Sequence, residues 1–350
     1  MNQKRWPLVI VAGLLSVVFF QGVRADDWGD DVSTDAPVYP YAVPLGLEKP
    51  KVPKDNPITK DKVKLGKLLY FDKRLSLNKM VSCDTCHSQT KGWTDQLRVS
   101  NGIHGLKGTR NAPTVFNSAY NAAQFWDGRA SSLEEQAKGP IQNPVEMGFT
   151  LKGAEERIAK IKGYKTLFSK AFGSDKVTID RMVKAIASFE RTILSGNSAY
   201  DQFKAGNKKA LSASAQRGMN LFFGRANCDA CHSGANFSDS DYHNLGIGMN
   251  AQKPDLGRYL VTKKPEDKGR FKTPTLRGLL YTKPYMHDGS EKTLEEVVDF
   301  YNRGGNKNPY LDKEIHPLGL SDGEKRDLVA FLESLNGQPV LVKIPRHFPR

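Results

Sequence analysis

Two short motifs contain all four cysteines of this 350-residue chain, and they lie 145 residues apart. Each reads C-x-x-C-H, the spacing of c-type haem attachment, in which two thiols bond to the porphyrin and the histidine reaches its iron. One such motif alone could be a redox dithiol or half of a zinc site, but a zinc ribbon places its cysteine pairs roughly 15–20 residues apart. The sequence therefore predicts two covalently bound haem c groups, held by Cys83, Cys86, His87, Cys228, Cys231 and His232.

Helices are the elements expected to position these motifs. Apolar residues recur at helical spacing, and no convincing run of strand alternation is present. The helical stretches are residues 58–71, 154–172, 179–195, 212–223, 293–301 and 321–335. Thr59 is a candidate N-cap for the first stretch, and Ser321 with Glu324 forms a capping-box pattern at the last. We predict an all-α fold with few or no strands.

The two halves of the chain repeat one another, which indicates an internal duplication. The paired segments are 65–71 with 217–223, 113–114 with 274–275, 126–128 with 287–289, and 133–135 with 294–296. The last three pairs share an offset of 161 residues. We predict two domains like those of c-type cytochromes, each with one haem: residues 58–200 form the first and residues 201–350 the second, after an N-terminal arm at 26–57.

The N-terminus has the pattern of a secretory signal peptide. Lys4 and Arg5 form a charged start, an apolar stretch follows at 8–20, and residues 23–25 give a small-residue cleavage site. The apolar run of about 13 residues is shorter than the ~20 needed to span a bilayer, which favours a cleaved signal over a membrane anchor. We therefore predict a signal peptide at residues 1–25 and export to the periplasm, while association with the cell surface stays open.

The charge of the chain is basic but mixed. There are 52 Lys and Arg against 38 Asp and Glu, a formal net charge of +14. Basic and acidic residues alternate along the chain, which indicates a solvated surface, and no nucleic-acid-binding motif is present. A basic face could still steer an acidic electron donor to the edge of a haem.

Longer motifs follow the C-x-x-C-H motif in each half of the chain. They comprise residues 110–117, 124–130, 133–137, 139–147 and 284–289. Together these motifs closely resemble those of the bacterial dihaem cytochrome c peroxidase family, over nearly the whole chain that follows the predicted signal peptide. The resemblance implies reduction of hydrogen peroxide to water with electrons from a small c-type cytochrome or a cupredoxin, and homodimers are common in the family. The same superfamily includes MauG, which oxidises a partner protein.

The resemblance implies roles for residues around the first haem, so that residues 58–200 would be the peroxidatic domain and 201–350 the electron-transfer domain. Glu146 matches the distal acid–base glutamate, Gln136 the distal glutamine, and Trp126 the tryptophan between the haems. Without the resemblance, Glu146 would be interpreted as a surface acid or helix cap, and Trp126 as a core aromatic.

His104 resembles the family's distal histidine, which blocks the first iron in the resting oxidised enzyme and leaves on activation. Glycines on both sides of it suit a mobile loop. The alternative is an ordinary loop histidine in contact with solvent. The spacing from His87 is near the family pattern without being a fixed match.

Three further positions, Asn111, Thr282 and Pro284, match the family's calcium site between the domains. An asparagine side chain and backbone carbonyls are hard oxygen ligands, which suit Ca²⁺. Because the set contains no carboxylate, the resemblance implies weak or structural binding. His287 is the second-half counterpart of Trp126, and its role stays open.

The chain departs from typical peroxidases at the sixth ligand of the second haem iron. The family's methionine position, fourteen residues after the His-Asp-Gly motif, is here Tyr301, as in MauG-like members. Met286 and Met249 are alternative ligands, but neither occupies the matching position. Methionine is a neutral thioether and raises a haem potential, whereas a tyrosinate stabilises ferric iron. We therefore expect the ligand pair His232 and Tyr301.

Three functions follow from these observations. The leading hypothesis is a cytochrome c peroxidase, in which electrons enter at the second haem and peroxide reacts at the first. The second is a MauG-like enzyme that oxidises a tryptophan or tyrosine of a partner protein. The third is a dihaem cytochrome that only transfers electrons, and the Gln136–Glu146 pair argues against it because an electron carrier needs no acid–base group beside its iron.

Overall fold

The computed structural model describes residues 43–350, so the predicted signal peptide and the beginning of the N-terminal arm lie outside the described residues. Within this range the first half contains helices α1 (Lys60–Phe71), α2 (Cys83–Cys86), α3 (Leu133–Gln142), α4 (Leu151–Ala159), α5 (Lys162–Phe172) and α6 (Ile179–Glu190). The second half contains α7 (Ala199–Lys204), α8 (Ala213–Phe222), α9 (Tyr259–Thr262), α10 (Leu294–Asn302) and α11 (Asp322–Ser334).

Strands are few, as the sequence predicted. Between residues 43 and 350 the named strands are β1 (Tyr242–His243) and β2 (Phe271–Lys272), which pair antiparallel with Tyr242 opposite Lys272. The prediction of a mostly helical fold is confirmed. Over the same residues, no helix combines the length and the apolarity that crossing a membrane requires.

Local sequence signals explain where the helices begin. The Thr59 side chain accepts a hydrogen bond from the backbone N–H of Lys62 at the start of α1. At the start of α11, Ser321 and Glu324 make both hydrogen bonds of a capping box. These bonds satisfy backbone N–H groups that have no partner inside the helix. Both caps were predicted from the sequence and are confirmed.

Two closely packed helix pairs form the centres of the two halves. α1 packs against α6, and α8 packs against α11. A methyl group added at Gly66 of α1 would lie 1.8 Å from the carbonyl oxygen of Ala185, and one at Gly218 of α8 would lie 1.9 Å from that of Asp327. Each pair therefore depends on a glycine at its closest approach, because no side chain fits there.

The hydrophobic core is divided into two clusters that follow the helix pairs. The first includes Leu65, Leu69 and Phe189, and the second includes Phe222 and Phe331, all almost completely buried. Burial of such side chains from water is the main force that holds helices together. The cavities described below lie beside these clusters.

A buried ion pair joins α7 to a later segment of the second half. The Arg277 guanidinium contacts the Asp201 carboxylate at 2.7 and 2.9 Å, and both side chains are almost fully buried. Arg277 also donates to the carbonyl oxygens of Gly46 and Ala235. The Arg277 side chain thus connects the N-terminal arm, α7 and the segment around Ala235.

The C-terminal tail returns to the first half. Val342 is buried in the first hydrophobic cluster, although it falls within the predicted second domain. The Trp93 indole N–H donates to the carbonyl oxygen of Val340 at 2.9 Å, and the backbone N–H of Val342 donates to Gln89 Oε1 at 2.6 Å. The first core is therefore completed by the last residues of the chain.

Candidate active site

The first C-x-x-C-H motif is held in shape by its own short helix. Ser82 and Thr85 form a capping box around the start of α2, and the backbone N–H of His87 bonds to the carbonyl oxygen of Cys83 at 2.9 Å. Both thiols are free, and both line the same cavity as His87. Two unpaired thiols and an imidazole around one cavity are the donor set that a c-type haem requires.

Hydrogen bonding orients both proximal imidazoles. His87 Nδ1 lies 3.3 Å from the carbonyl oxygen of Trp93, and His232 Nδ1 lies 3.0 Å from that of Phe237. A carbonyl accepts only from a protonated nitrogen, so Nε2 is left unprotonated in each ring and available to an iron. Burial lowers the pKa of both histidines, which also favours the neutral form.

A cavity of about 960 Å³ adjoins the first motif, at the upper end of the size range of ligand pockets. Three residues that the resemblance singled out, Gln136, Glu146 and Trp126, line it together with His87. Gln136 lies on α3, and Glu146 lies in the loop that follows this helix. The fold therefore brings an amide, a carboxyl and an indole to the cavity that holds the first motif.

Glu146 is a half-buried carboxyl with one strong hydrogen bond. Asn143 Nδ2 donates to Glu146 Oε1 at 2.6 Å. Burial raises the pKa of Glu146, while Asn143 and the charge of Arg129 act in the opposite direction. A raised pKa favours the protonated carboxyl, and a group that can exchange a proton is what acid–base catalysis needs.

His104 does not line the first cavity. It is exposed, has a positive φ of 56°, and lies in a short turn from Ile103 to Gly105. The turn is fixed at its base, where the backbone N–H of Ile103 donates to the carbonyl oxygen of Glu146 at 2.7 Å. Gly102 packs against the same segment, since a methyl group there would lie 1.9 Å from the carbonyl oxygen of Val145.

A second cavity surrounds the second motif. Cys228, Cys231 and His232 line it, and so do Tyr301 and Met286. Tyr301 lies on α10, and burial raises the pKa of its hydroxyl. Two of the three candidate iron ligands, Tyr301 and Met286, thus share the cavity with His232. Met249 is not among the lining residues; it lies against Gly269, where a methyl group would meet its sulfur at 2.4 Å.

Trp126 lies in the wall between the two cavities and lines both. Its indole N–H donates to the carbonyl oxygen of Asn111 at 2.9 Å. Its ring meets His287 edge to face with centroids 6.5 Å apart, and His287 stacks on Phe271 at 3.5 Å. These three rings form a continuous aromatic cluster beside the second cavity.

A charged network fixes the backbone next to Trp126. Arg110 bonds to the carboxylates of Asp127 at 2.7 Å and of Asp255 at 2.6 Å. Arg258 donates to the carbonyl oxygens of Asp127 and Gly128, both at 2.9 Å. These contacts join segments from the two halves around the indole. Sequence reasoning did not predict them, because the partners that link the halves, Arg110 with Asp255 and Arg258 with Asp127, are more than 100 residues apart.

The three candidate calcium ligands come together at the second cavity. Asn111, Thr282 and Pro284 all line it, and the Lys283–Pro284 peptide bond is cis. Asn111 Nδ2 donates to the carbonyl oxygen of Leu97 at 2.8 Å, which turns the amide so that its oxygen is the remaining polar atom. An amide oxygen with neighbouring carbonyls fits a hard cation such as Ca²⁺.

A second metal-like cluster, Cys231 with Asp239 and His243, lies beside the second motif. His243 is held between two carboxylates, at 3.0 Å from Asp239 Oδ2 and 2.7 Å from Asp312 Oδ2. Haem attachment converts the Cys231 thiol into a thioether, which removes the anionic sulfur that a metal would need. We therefore interpret these residues as a structural clamp.

The chain resembles known proteins along almost its full length. Residues 60–209 match the family model described as "Di-haem cytochrome c peroxidase". The methylamine utilization protein MauG of Methylorubrum extorquens is 40% identical over 97% of this chain and 96% of its own length. The cytochrome c551 peroxidase of Nitrosomonas europaea is 42% identical over 83% of this chain and 84% of its own length.

A solved structure has the same fold. It is the crystal structure of a MauG-like protein associated with microbial copper homeostasis, with a TM-score of 0.79 and 33% identity, over 85% of this chain and 95% of that protein. The family model and the sequence relatives are dihaem cytochrome c peroxidases and MauG proteins, as the two C-x-x-C-H motifs had indicated. The chain therefore belongs to the dihaem cytochrome c peroxidase family, as an oxidoreductase that carries two covalently bound haem c groups.

Proposed function

We propose that this protein reduces hydrogen peroxide to water at the first cavity, with two electrons taken from a small c-type cytochrome or a cupredoxin. The observation that carries the proposal is the presence of Glu146 and Gln136 in the wall of the cavity that holds the first haem motif. When bound there, a haem c supplies an iron that coordinates peroxide and exchanges electrons singly. His87 would hold that iron through Nε2.

Glu146 moves the proton that peroxide cleavage requires. Its carboxylate would take one proton of the peroxide and return it to the departing oxygen, which leaves as water. Asn143 keeps the carboxyl oriented through its 2.6 Å hydrogen bond. Gln136 donates a hydrogen bond to the bound peroxide, and this positions the bond that breaks.

Trp126 connects the two sites, and it lines both cavities. We propose that electrons enter at the second site, which His232 and Tyr301 ligate, and pass by way of this indole. Asn111, Thr282 and Pro284 would bind one Ca²⁺ beside it. In this proposal residues 58–200 are the peroxidatic domain and residues 201–350 the electron-transfer domain.

His104 serves as a gate in this proposal. The Gly102–Leu106 loop would carry its imidazole to the first iron in the resting enzyme and away from it on activation. The exposure of His104 and its place in a short turn support this proposal, because the ring is not packed against the core. Because the base of the loop bonds to the backbone of Glu146, its movement would also be transmitted to the acid–base residue.

We further propose that the two halves arose by duplication, that the protein is exported to the periplasm by its signal peptide, and that it forms a homodimer. The duplication is supported by the glycine crossings of both central helix pairs, which fall at the same place in the repeated segments. The dimer and the compartment rest on the family resemblance and on the N-terminal pattern.

Oxidation of a tryptophan or tyrosine in a partner protein is the second candidate function. Tyr301 in the second cavity favours it, because a phenolate ligand stabilises oxidised iron. The similarity to a MauG protein over 97% of the chain points the same way. A peroxidase and a protein oxidase of this kind share the first cavity and differ in where the electrons come from.

Peroxide-dependent oxidation of a reduced cytochrome c, measured before and after half-reduction of the enzyme, distinguishes these functions. Rapid turnover only after half-reduction supports the peroxidase with its His104 gate. Absence of turnover in both states contradicts it and favours the partner-protein oxidase. An electron carrier without catalysis would leave peroxide unchanged.

Replacement of Glu146 tests the acid–base role. We expect Glu146→Gln to lower kcat/KM for peroxide by about 10²–10⁴-fold, the usual contribution of a positioned acid–base group. Glu135→Gln is a matched control, because Glu135 is an exposed carboxyl on α3 next to Gln136 and lies outside the cavity lining. Unchanged turnover in Glu146→Gln would show that the proton follows another route.

A further inference from the structure

Lys272 is a buried cation without a carboxylate partner. Its side chain lines the second cavity, and only 7% of the residue is exposed. The one hydrogen bond of its ammonium group is a long one, 3.5 Å to the carbonyl oxygen of Thr273. Among residues 43–350, no Asp or Glu lies within ion-pair distance of it. Burial lowers the pKa of Lys272 to about 8, and the charge of Asp239 acts weakly against this.

An isolated buried charge is costly, and the cost is several kcal/mol for an ammonium group. Folded proteins therefore keep such charges only where an anion meets them. Lys272 is also the only lysine or arginine that lines the second cavity, as far as the described chain shows. In the first cavity, by contrast, Arg110 and Arg129 are each paired with Asp127.

The backbone fixes Lys272 at the boundary between the two sites. Its N–H donates to the carbonyl oxygen of Trp126 at 2.7 Å, and β2 holds it opposite Tyr242 of β1. The preceding residue, Phe271, stacks on His287 at 3.5 Å. These backbone contacts fix the position from which the Lys272 side chain extends along the wall of the second cavity.

We propose that Lys272 binds a propionate of the haem attached at Cys228 and Cys231, on the side facing Trp126, and that its charge raises the reduction potential of that haem. The ligand class is a carboxylate of the cofactor itself, which supplies the missing anion. A nearby positive charge favours the state with one more electron, so it opposes the effect of the Tyr301 phenolate. The inference rests on the bound cofactor and is independent of peroxide reduction.

The test is a potentiometric titration of the haem-loaded protein, with the two haems followed separately by their electron paramagnetic resonance signals. We expect Lys272→Met to lower the reduction potential of the second haem by ~59 mV, which is a tenfold smaller equilibrium constant for a one-electron reduction. Lys272→Arg keeps the charge and should stay within threefold of the original protein. Lys313→Met is the matched control, because Lys313 is exposed and lies outside the cavity lining.

If Lys272→Met fails to hold the second haem, Lys272→Gln provides the test. Its neutral amide can still donate a hydrogen bond to a propionate but carries no charge. A tenfold fall in Lys272→Gln supports the proposal. An unchanged potential in a fully loaded Met or Gln variant overturns it, and so does an equal fall in Lys313→Met. Resonance Raman bands of the propionates provide a second measurement, and they should shift in both neutral variants.

Discussion

Glu190 is a second buried carboxyl of the first cavity, and the proposed proton transfer does not use it. It lies at the end of α6, lines the cavity and is only 6% exposed. Its Oε2 has no hydrogen-bond partner in the described chain, and the neighbouring Arg191 pairs with Glu134 instead. Burial raises the pKa of Glu190 to about 8, so it is mainly protonated at neutral pH.

The raised pKa makes the stability of the protein depend on pH. A carboxyl whose folded-state pKa exceeds its ordinary value favours the folded state at low pH, and this contribution is lost as pH rises through the folded-state pKa. Gln stays neutral at every pH. We therefore expect the Tm of Glu190→Gln, relative to that of the original protein, to be higher at pH 8.5 than at pH 5. Calorimetry of the haem-loaded protein measures this difference.

Glu156→Gln serves as the control for this comparison, because Glu156 is an exposed carboxyl on α4. Its difference in Tm from the original protein should be the same at both pH values. If the Tm difference of Glu190→Gln were also the same at both pH values, the pKa of the Glu190 carboxyl would not be raised in the folded protein.

Some functional residues could be predicted from the sequence alone, and others could not. The C-x-x-C-H motifs predicted both donor sets because their chemistry depends on local spacing, and the resemblance named Gln136, Glu146 and Trp126. Glu190 and Lys272 could not be predicted in this way. A lone acid or lysine has no local signature, and burial without a partner becomes visible only when distant segments are packed around it.

The loop that carries His104 is the element on which the proposed activation depends. Gly102 has no room for a side chain, since a methyl group would lie 1.9 Å from the carbonyl oxygen of Val145 and 2.7 Å from Glu146 Cα. The loop and the acid–base residue therefore share one rigid contact. The glycines near His104 indicated a mobile loop, but they could not predict that the base of this loop is bonded to the backbone of Glu146.

Gly102→Ala tests this contact. We expect the methyl group to displace the segment of Glu146, with a fall of about 10²-fold in kcat/KM for peroxide, because small misplacements of catalytic groups have effects of this size. The potential of the second haem should not change. Gly108→Ala is the matched control in the same loop region, where the nearest atom would be 3.7 Å away. Equal effects of both variants would exclude a specific role for the contact.

At the scale of the whole molecule, two kinds of contact hold distant segments of the chain together. One is the charged network of Arg110, Asp127, Asp255 and Arg258 around Trp126, and the other is the buried pair of Arg277 and Asp201. Periodicity predicted the helices and their caps, since these depend on residues within one or two turns. It could not predict either contact, because each joins residues that only the folded chain brings together.

Asp201→Asn is expected to destabilise the protein by about 3–5 kcal/mol, because it leaves the Arg277 guanidinium buried without a counter-charge. Chemical denaturation followed by tryptophan fluorescence and by haem absorbance measures the loss. Asp322→Asn removes an exposed pair with Lys325 and should cost far less, because water screens the charges of a surface pair. A loss of similar size in the two variants would mean that the Arg277 pair contributes no more than a surface contact.

The C-terminal tail has a consequence for the order of assembly. Chains are made from the N-terminus, so the first C-x-x-C-H motif is synthesised long before the residues that bond to Gln89 and Trp93. Until then, the side of the first core that Val342 covers stays open. The core beside the first haem motif is therefore begun first and completed last, when residues 340–342 pack against it.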